Sequence, residues 1–242
     1  MTGSEFRDRC ELVDGAAAGA WIAERLSQEF GLVGTHVPDG YEAYCRIFHP
    51  AWDTGGRPVR WGAVAEQFGT IMHKEAQWES LVGYPPATPA SADKTRDCSP
   101  INQAPIIGEL DKDSLEAFLT IIATQSSLGS GDCYFGLSII EGWQDHFHDI
   151  ELKPLLNLPN ERRYIVLKGP LSASAWRGAR SPNLLWAIDR TWYAISDVDF
   201  DSTLFGGDQK MVDAIVGDPR LEAWQVESSD SLASDADMVN GG

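Results

Sequence analysis

Carboxylates occupy every second position of "DVDFD". There Asp197, Asp199 and Asp201 would project from one side of an extended strand at steps of about 7 Å. Charges of one sign at that spacing repel unless they are solvated, paired with arginine or bridged by a hard cation. The spacing also matches the first three ligands of a calcium loop, with Asp208 in twelfth place. Against that match, Ser202 stands where such a loop needs glycine, Asp208 stands for glutamate, and a strand leads in where a helix should. The sequence therefore favours a solvated strand end, with a divalent-cation site and an arginine-paired network as the alternatives.

A second set is basic. Between Glu151 and Arg190 seven basic residues stand against three acidic ones, in a chain of formal net charge -17. Arg162, Arg163 and Arg180 are the candidates for an anion or nucleotide site, because guanidinium forks match phosphate and carboxylate. The same arginines could equally neutralise the three aspartates across a sheet. "DHFHDIE" sets His146 and His148 on one side of an extended segment beside Asp145 and Asp149, which are metal-ligand types without a third fixed ligand.

His36, His49 and His73 are isolated and read as packed or surface histidines. The glycines of "GSGDC" before Cys133 read as a helix end and loop. No serine elbow, P-loop, zinc-protease helix motif or dinucleotide fingerprint is present. Hence no catalytic residue and no organic cofactor is assigned. Trp143, Trp176, Trp186 and Trp192, with Trp224, lie in the C-terminal half. They read as core, or as the lining of an aromatic groove for a partner peptide or apolar ligand.

Such side chains need a scaffold, and 242 residues, 43% hydrophobic with nine tryptophans, suffice for a substantial core. The negative charge argues against nucleic acid and anionic membranes as partners, since both require surplus lysine and arginine, and it suits a basic protein partner. Cys10, Cys45, Cys98 and Cys133 show no paired spacing, so reduced thiols in a cytoplasm are expected. The N-terminal stretch has no apolar signal region and no run approaches a membrane span, so neither secretion nor membrane insertion is expected.

The patterning predicts helices over Ala16–Gly31, Trp61–Phe68, the "LDKDSLEAFLTIIATQSS" segment and "GGDQKMVDAIVG". Strands are expected at Tyr41–Pro50, at "CYFGLSII" with a bulge at Gly136, at Arg163–Pro170 and at Leu221–Val226, and Leu184–Ile188 with Thr191–Val198 reads as a hairpin. Residues 1–15 are expected to be loosely ordered and residues 84–105 to form a proline-rich loop. Residues 227–242 read as a disordered acidic tail. Neighbouring strands that can pair antiparallel favour a single compact α+β domain over 16–226, a mainly antiparallel sheet with helices packed on it.

"YEAYCRIFHPAW", "WGAVAEQFG", "CYFGL", "RRYIVLKGPL" and "SPNLLWAIDRTWYAISDVDFDSTLFGG", with "LEAWQV", together resemble a group of uncharacterised actinobacterial proteins. The likeness runs from about Tyr41 to Val226 outside the proline-rich loop and implies no particular activity. "SIIEGWQDHFHDI" departs from the group's pattern, looking like a looser insertion, which weakens a role for His146 and His148. At the level of class and charge the chain is also similar to immunity proteins of the SMI1/KNR4-like class, which are intracellular α+β proteins that bind partners.

The expectation is a cytoplasmic protein-binding protein, immunity-like, without catalytic activity. A metal-dependent hydrolase or transferase using the aspartates, and an anion or nucleotide binder using the arginines, are the alternatives. Enzyme status and oligomeric state are left open.

Overall fold

The computed structural model describes residues 9–83, 101–127, 129, 131–141, 151–173 and 181–241. Its strands are β1 (Glu11–Leu12), β2 (Ala43–Phe48), β3 (Ala51–Asp53), β4 (Pro58–Val59), β5 (Ile101–Gln103), β6 (Asp132–Ser138), β7 (Leu156–Asn157), β8 (Arg163–Pro170), β9 (Leu184–Ala187), β10 (Tyr193–Ile195), β11 (Ser202–Gly207) and β12 (Ala223–Val226). The helices are α1 (Gly15–Arg25), α2 (Trp61–Phe68), α3 (Trp78–Leu81), α4 (Lys112–Gln125) and α5 (Gln209–Val216). Nine strands form one antiparallel sheet in the order β1-β8-β6-β9-β10-β11-β2-β12, with β7 also paired to β8. A small sheet, β4-β3-β5, stands apart. The expected α+β class, a single domain with a mainly antiparallel sheet, is the one observed.

Period-two alternation along the strands sorts the core into two layers. On one face Ile47, Phe135, Leu137, Ile165, Leu185, Ala194 and Phe205 pack against Phe118 and Ile122 of α4 and Met211 and Ile215 of α5. On the other, Tyr44, Tyr164, Val166, Leu184, Trp186, Tyr193, Ile195 and Leu204 pack against Trp21 and Ile22 of α1 and Leu26 just past its end. Each large apolar side chain buried this way contributes about 1.5–3 kcal/mol. Three helices start where an aspartate accepts from orphan backbone N–H groups. Asp14 caps α1 through Ala17 N, Asp111 caps α4 through Asp113 and Ser114 N, and Asp208 caps α5 through Met211 N.

Several sequence expectations are corrected. Ser202–Gly207, where no strand was expected and whose two glycines were read as the start of a helix, is a fully buried central strand that joins β10 to β2. The strand after the hairpin turn stops at Ile195, so Asp197–Asp201 lie in a turn. Gly136 makes no bulge: it pairs in register with Val166 and Leu184, and a Cβ there would sit 2.8 Å from the Leu184 side chain. α1 ends at Arg25, which leaves Phe30 out of the core. Part of the loosely read N-terminus forms β1, and Ile101–Gln103 of the proline-rich loop forms β5; residues 84–100 lie outside the described ones.

The supposed disordered tail is a docked strap. Leu232 is buried, Leu32 and Ser231 form a β-bridge, and Leu232 N donates to Gly31 O at 2.7 Å. Lys74 Nζ meets Asp230 Oδ2 at 2.5 Å. Asp237, fully buried, accepts from Gln77 N at 3.2 Å and Asn240 N at 3.0 Å, and lies 2.8 Å from His73 Nε2.

Candidate functional site

After β10 the backbone reverses, with Phe200 N donating to Asp197 O at 3.0 Å, and returns as β11. The three aspartates therefore diverge. Asp197 turns inward, buried, and its Oδ2 lies 2.9 Å from Arg162 Nη1 and 3.3 Å from His36 Nδ1. Asp201 reaches a different guanidinium, Arg46 Nη2, at 3.4 Å. Asp199 stays exposed and holds Asp197 only through its backbone N–H, at 3.2 Å. Among the described residues no three His, Cys, Asp or Glu side chains gather as a metal set. The solvated strand end favoured for Asp197, Asp199 and Asp201, and the divalent site offered beside it, give way to arginine pairing of Asp197 and Asp201, with only Asp199 left in water, because a turn disperses what a strand would have aligned. His146 and His148 lie outside the described residues.

Burial alone would raise the Asp197 carboxyl. His36, Arg162 and the Asp199 N–H outweigh it and hold the group at about 2. For Asp201 the balance is the reverse: burial raises it and Arg46 only partly offsets that. Arg46 is a structural staple. Its Nε donates to Ser202 Oγ at 2.9 Å, its Nη1 to Ala76 O at 3.0 Å, and its guanidinium lies 4.4 Å from the Phe48 ring centre. The lone arginine inside the apolar strand "YCRIF" was the sequence signal for it, and it went unused.

Arg162 and Arg163 of the anion trio do not converge. Arg162 is buried and committed to Asp197, its chain neighbour Arg163 is exposed, and Arg180 lies outside the described residues. What delivers Arg162 inward is the β7–β8 hairpin. There Asn160 and Glu161 both take positive φ, at 61° and 59°, and Leu158 N donates to Arg162 O at 2.8 Å. Two consecutive non-glycine residues in that region are strained, and the hydrogen bonds of Arg162 to Pro159 O and Thr35 O help to hold them.

Around this pair lies a cavity of about 380 Å³ whose walls include Phe30, His36, Arg162, Asp199, Phe200 and Leu232. Phe30 is 85% exposed, and the His36 ring meets Phe200 edge-on at 4.6 Å. His36 Nδ1 lies 2.8 Å from Arg162 Nη1 and 3.3 Å from Asp197 Oδ2, so a lone pair there would accept from the guanidinium and an N–H there would donate to the carboxylate.

The proposed aromatic groove is not formed by Trp186 and Trp192. Both are buried on opposite faces of the sheet, Trp186 stacked on Tyr134 at 5.2 Å in the α1 layer and Trp192 in the α4–α5 layer. Trp143 and Trp176 lie outside the described residues. The aromatics at the cavity are instead Phe30, which lies inside the helix expected over Ala16–Gly31, and Phe200.

Other reactive groups are quenched by burial. It pushes the Cys10 thiol up to about 11 and those of Cys45 and Cys133 higher still, so none is a thiolate at neutral pH. His49 is fully buried, with Nδ1 2.6 Å from Ile106 O and Nε2 2.9 Å from Thr203 Oγ1, which in turn meets Ser196 Oγ at 2.6 Å. Burial lowers His49 to about 4, keeping it neutral and structural.

Comparison with known protein families, with characterised proteins and with solved structures finds no match to this chain. Function has to be argued from the site itself.

Proposed function

We propose that this is a binding protein without chemistry of its own, and that it engages a protein partner through the cavity beside Phe30. One observation carries the reading: a phenylalanine that is 85% exposed stands at a cavity of about 380 Å³ whose apolar wall is completed by Phe200 and Leu232. An exposed aromatic ring beside a mostly apolar recess offers the kind of surface that interface centres use. The ionisable groups at its floor support the same reading, because Arg162 and Asp197 neutralise each other. A cytoplasmic setting fits the free thiols of Cys10, Cys45 and Cys133. It also fits the absence, among the described residues, of any helix long and apolar enough to cross a membrane. An immunity-like role, in which an acidic protein occludes a basic target, is the form of binding that the net charge of -17 favours.

The test is photo-cross-linking in cells. A benzoyl-phenylalanine at position 30 is expected to capture a discrete protein, whereas the same probe at Val216, partly exposed on α5, captures none. Because the surface is acidic, capture should weaken as ionic strength rises. Equal cross-linking from both positions, or none from position 30, would defeat the reading, as would substrate turnover by the purified protein that an intact cavity is needed for.

A further inference from the structure

The charges around the cavity select what enters it. Its guanidinium, Arg162, is already offset by Asp197 at 2.9 Å and tied to the carbonyls of Pro159 and Thr35. Asp199 supplies the uncompensated charge: it is exposed, and its carboxylate has no hydrogen-bond or ion-pair partner among the described residues. Its position is nevertheless fixed, since its own N–H donates to Asp197 Oδ1. Two aromatic rings, Phe30 and Phe200, and the Leu232 side chain share the same walls.

A free carboxylate beside aromatic rings and an aliphatic surface matches an organic cation on a hydrocarbon stem. The carboxylate attracts the charge, ring faces add cation–π attraction, and the stem covers apolar surface. An anion meets the reverse, with Asp199 at the wall and a net charge of -17 behind it.

We propose that the cavity is the receptor for a single arginine or lysine side chain of a partner protein, its charged head at Asp199 and its stem along Phe30 and Leu232. This rests on the cavity being an interface and names the chemistry of what fills it. The volume is ample for one long side chain.

The experiment titrates ¹⁵N-labelled protein with N-acetyl-arginine amide, N-acetyl-lysine amide, N-acetyl-norleucine amide and N-acetyl-aspartate amide, probes that isolate the side chain. The cationic probes should shift the backbone amides of Gly31, Asp199 and Ala233 saturably. The norleucine probe should bind about tenfold more weakly and the aspartate probe not at all. D199N removes an exposed carboxylate and should weaken the arginine probe about threefold to fivefold without loss of folding. F30A, at an exposed ring, should also weaken it. Norleucine binding as well as arginine, an unchanged affinity in D199N, or no shift with either cationic probe overturns the proposal. Preference for the aspartate probe overturns it in favour of an anion site. None of these results alters cross-linking from position 30, so the interface reading is tested separately.

Discussion

Arg162 Nη1 donates to Asp197 Oδ2 at 2.9 Å across 35 positions of chain, and both side chains are almost wholly withdrawn from water. This pair ties the β7–β8 hairpin to the turn after β10 and so fixes the floor of the cavity. Removing one partner strands a buried charge, whereas removing both does not. R162M is therefore expected to lose about 3–5 kcal/mol of unfolding free energy. R162M/D197N should recover a substantial part of that loss. Urea denaturation of the four species closes the cycle. Additive losses would show that the two groups do not act as a pair.

Acid should weaken the fold first through His49. Its folded value is about 4 against an ordinary 6.5, so between those limits the unfolded chain binds more protons and stability falls as pH is lowered. The full effect is about 3 kcal/mol, present above pH 6.5 and gone below about 4. Asp197, held low, acts only as pH falls through its ordinary 3.8 towards about 2. Glu222 and Asp201, raised by burial, work in the opposite sense, so the variant comparison is what isolates the histidine. H49Q should flatten the stability–pH curve between pH 4 and 6.5 in chemical denaturation. An unchanged slope there would remove His49 as the cause.

Gly136 offers a packing test. The sequence reading placed a bulge there, which would tolerate alanine. The structure puts Leu184 in the space a methyl group would occupy, at 2.8 Å. G136A should cost about 1–3 kcal/mol by overpacking, and L184A in the same chain should relieve part of it. Equal stability of G136A and the parent in urea would restore the bulge.

The elements legible in the sequence were those whose pattern is local. "RRYIVLKGP" is β-branched and stopped by Gly-Pro, and β8 runs over Arg163–Pro170. Asp208 and Gly217 bracket α5 as their types suggest. β11 was hidden because its "STLFGG" follows three aspartates and ends in two glycines. Its strand identity comes from β10 and β2 on either side, which no local window contains. The site was harder still. Phe30, His36, Arg162, Asp199 and Leu232 meet only after the sheet closes, and none belongs to a motif. Alternation predicted Asp197, Asp199 and Asp201 on one face, but the strand ends two residues before the first of them.

The C-terminal strap shows how composition misleads when a few residues do the docking. "ESSDSLASDADMVNGG" is poor in large apolar groups, yet Leu232 enters the α1 layer, and Asp237, with no exposed surface, holds Gln77 and Asn240 N–H groups. Ending the chain at Val226 removes that leucine and strips Lys74 of its Asp230 partner and His73 of Asp237. A buried leucine contributes about 1.5–3 kcal/mol and each hydrogen bond about 1 kcal/mol, so the truncated protein should be less stable by about 3–5 kcal/mol. It should also lose the Leu232 wall of the cavity, so cross-linking from position 30 should fall even at temperatures where the shortened chain stays folded. Thermal melts by circular dichroism give the first quantity and the cross-linking yield the second. A truncated chain that melts with the parent would make the segment the dispensable tail its composition suggests.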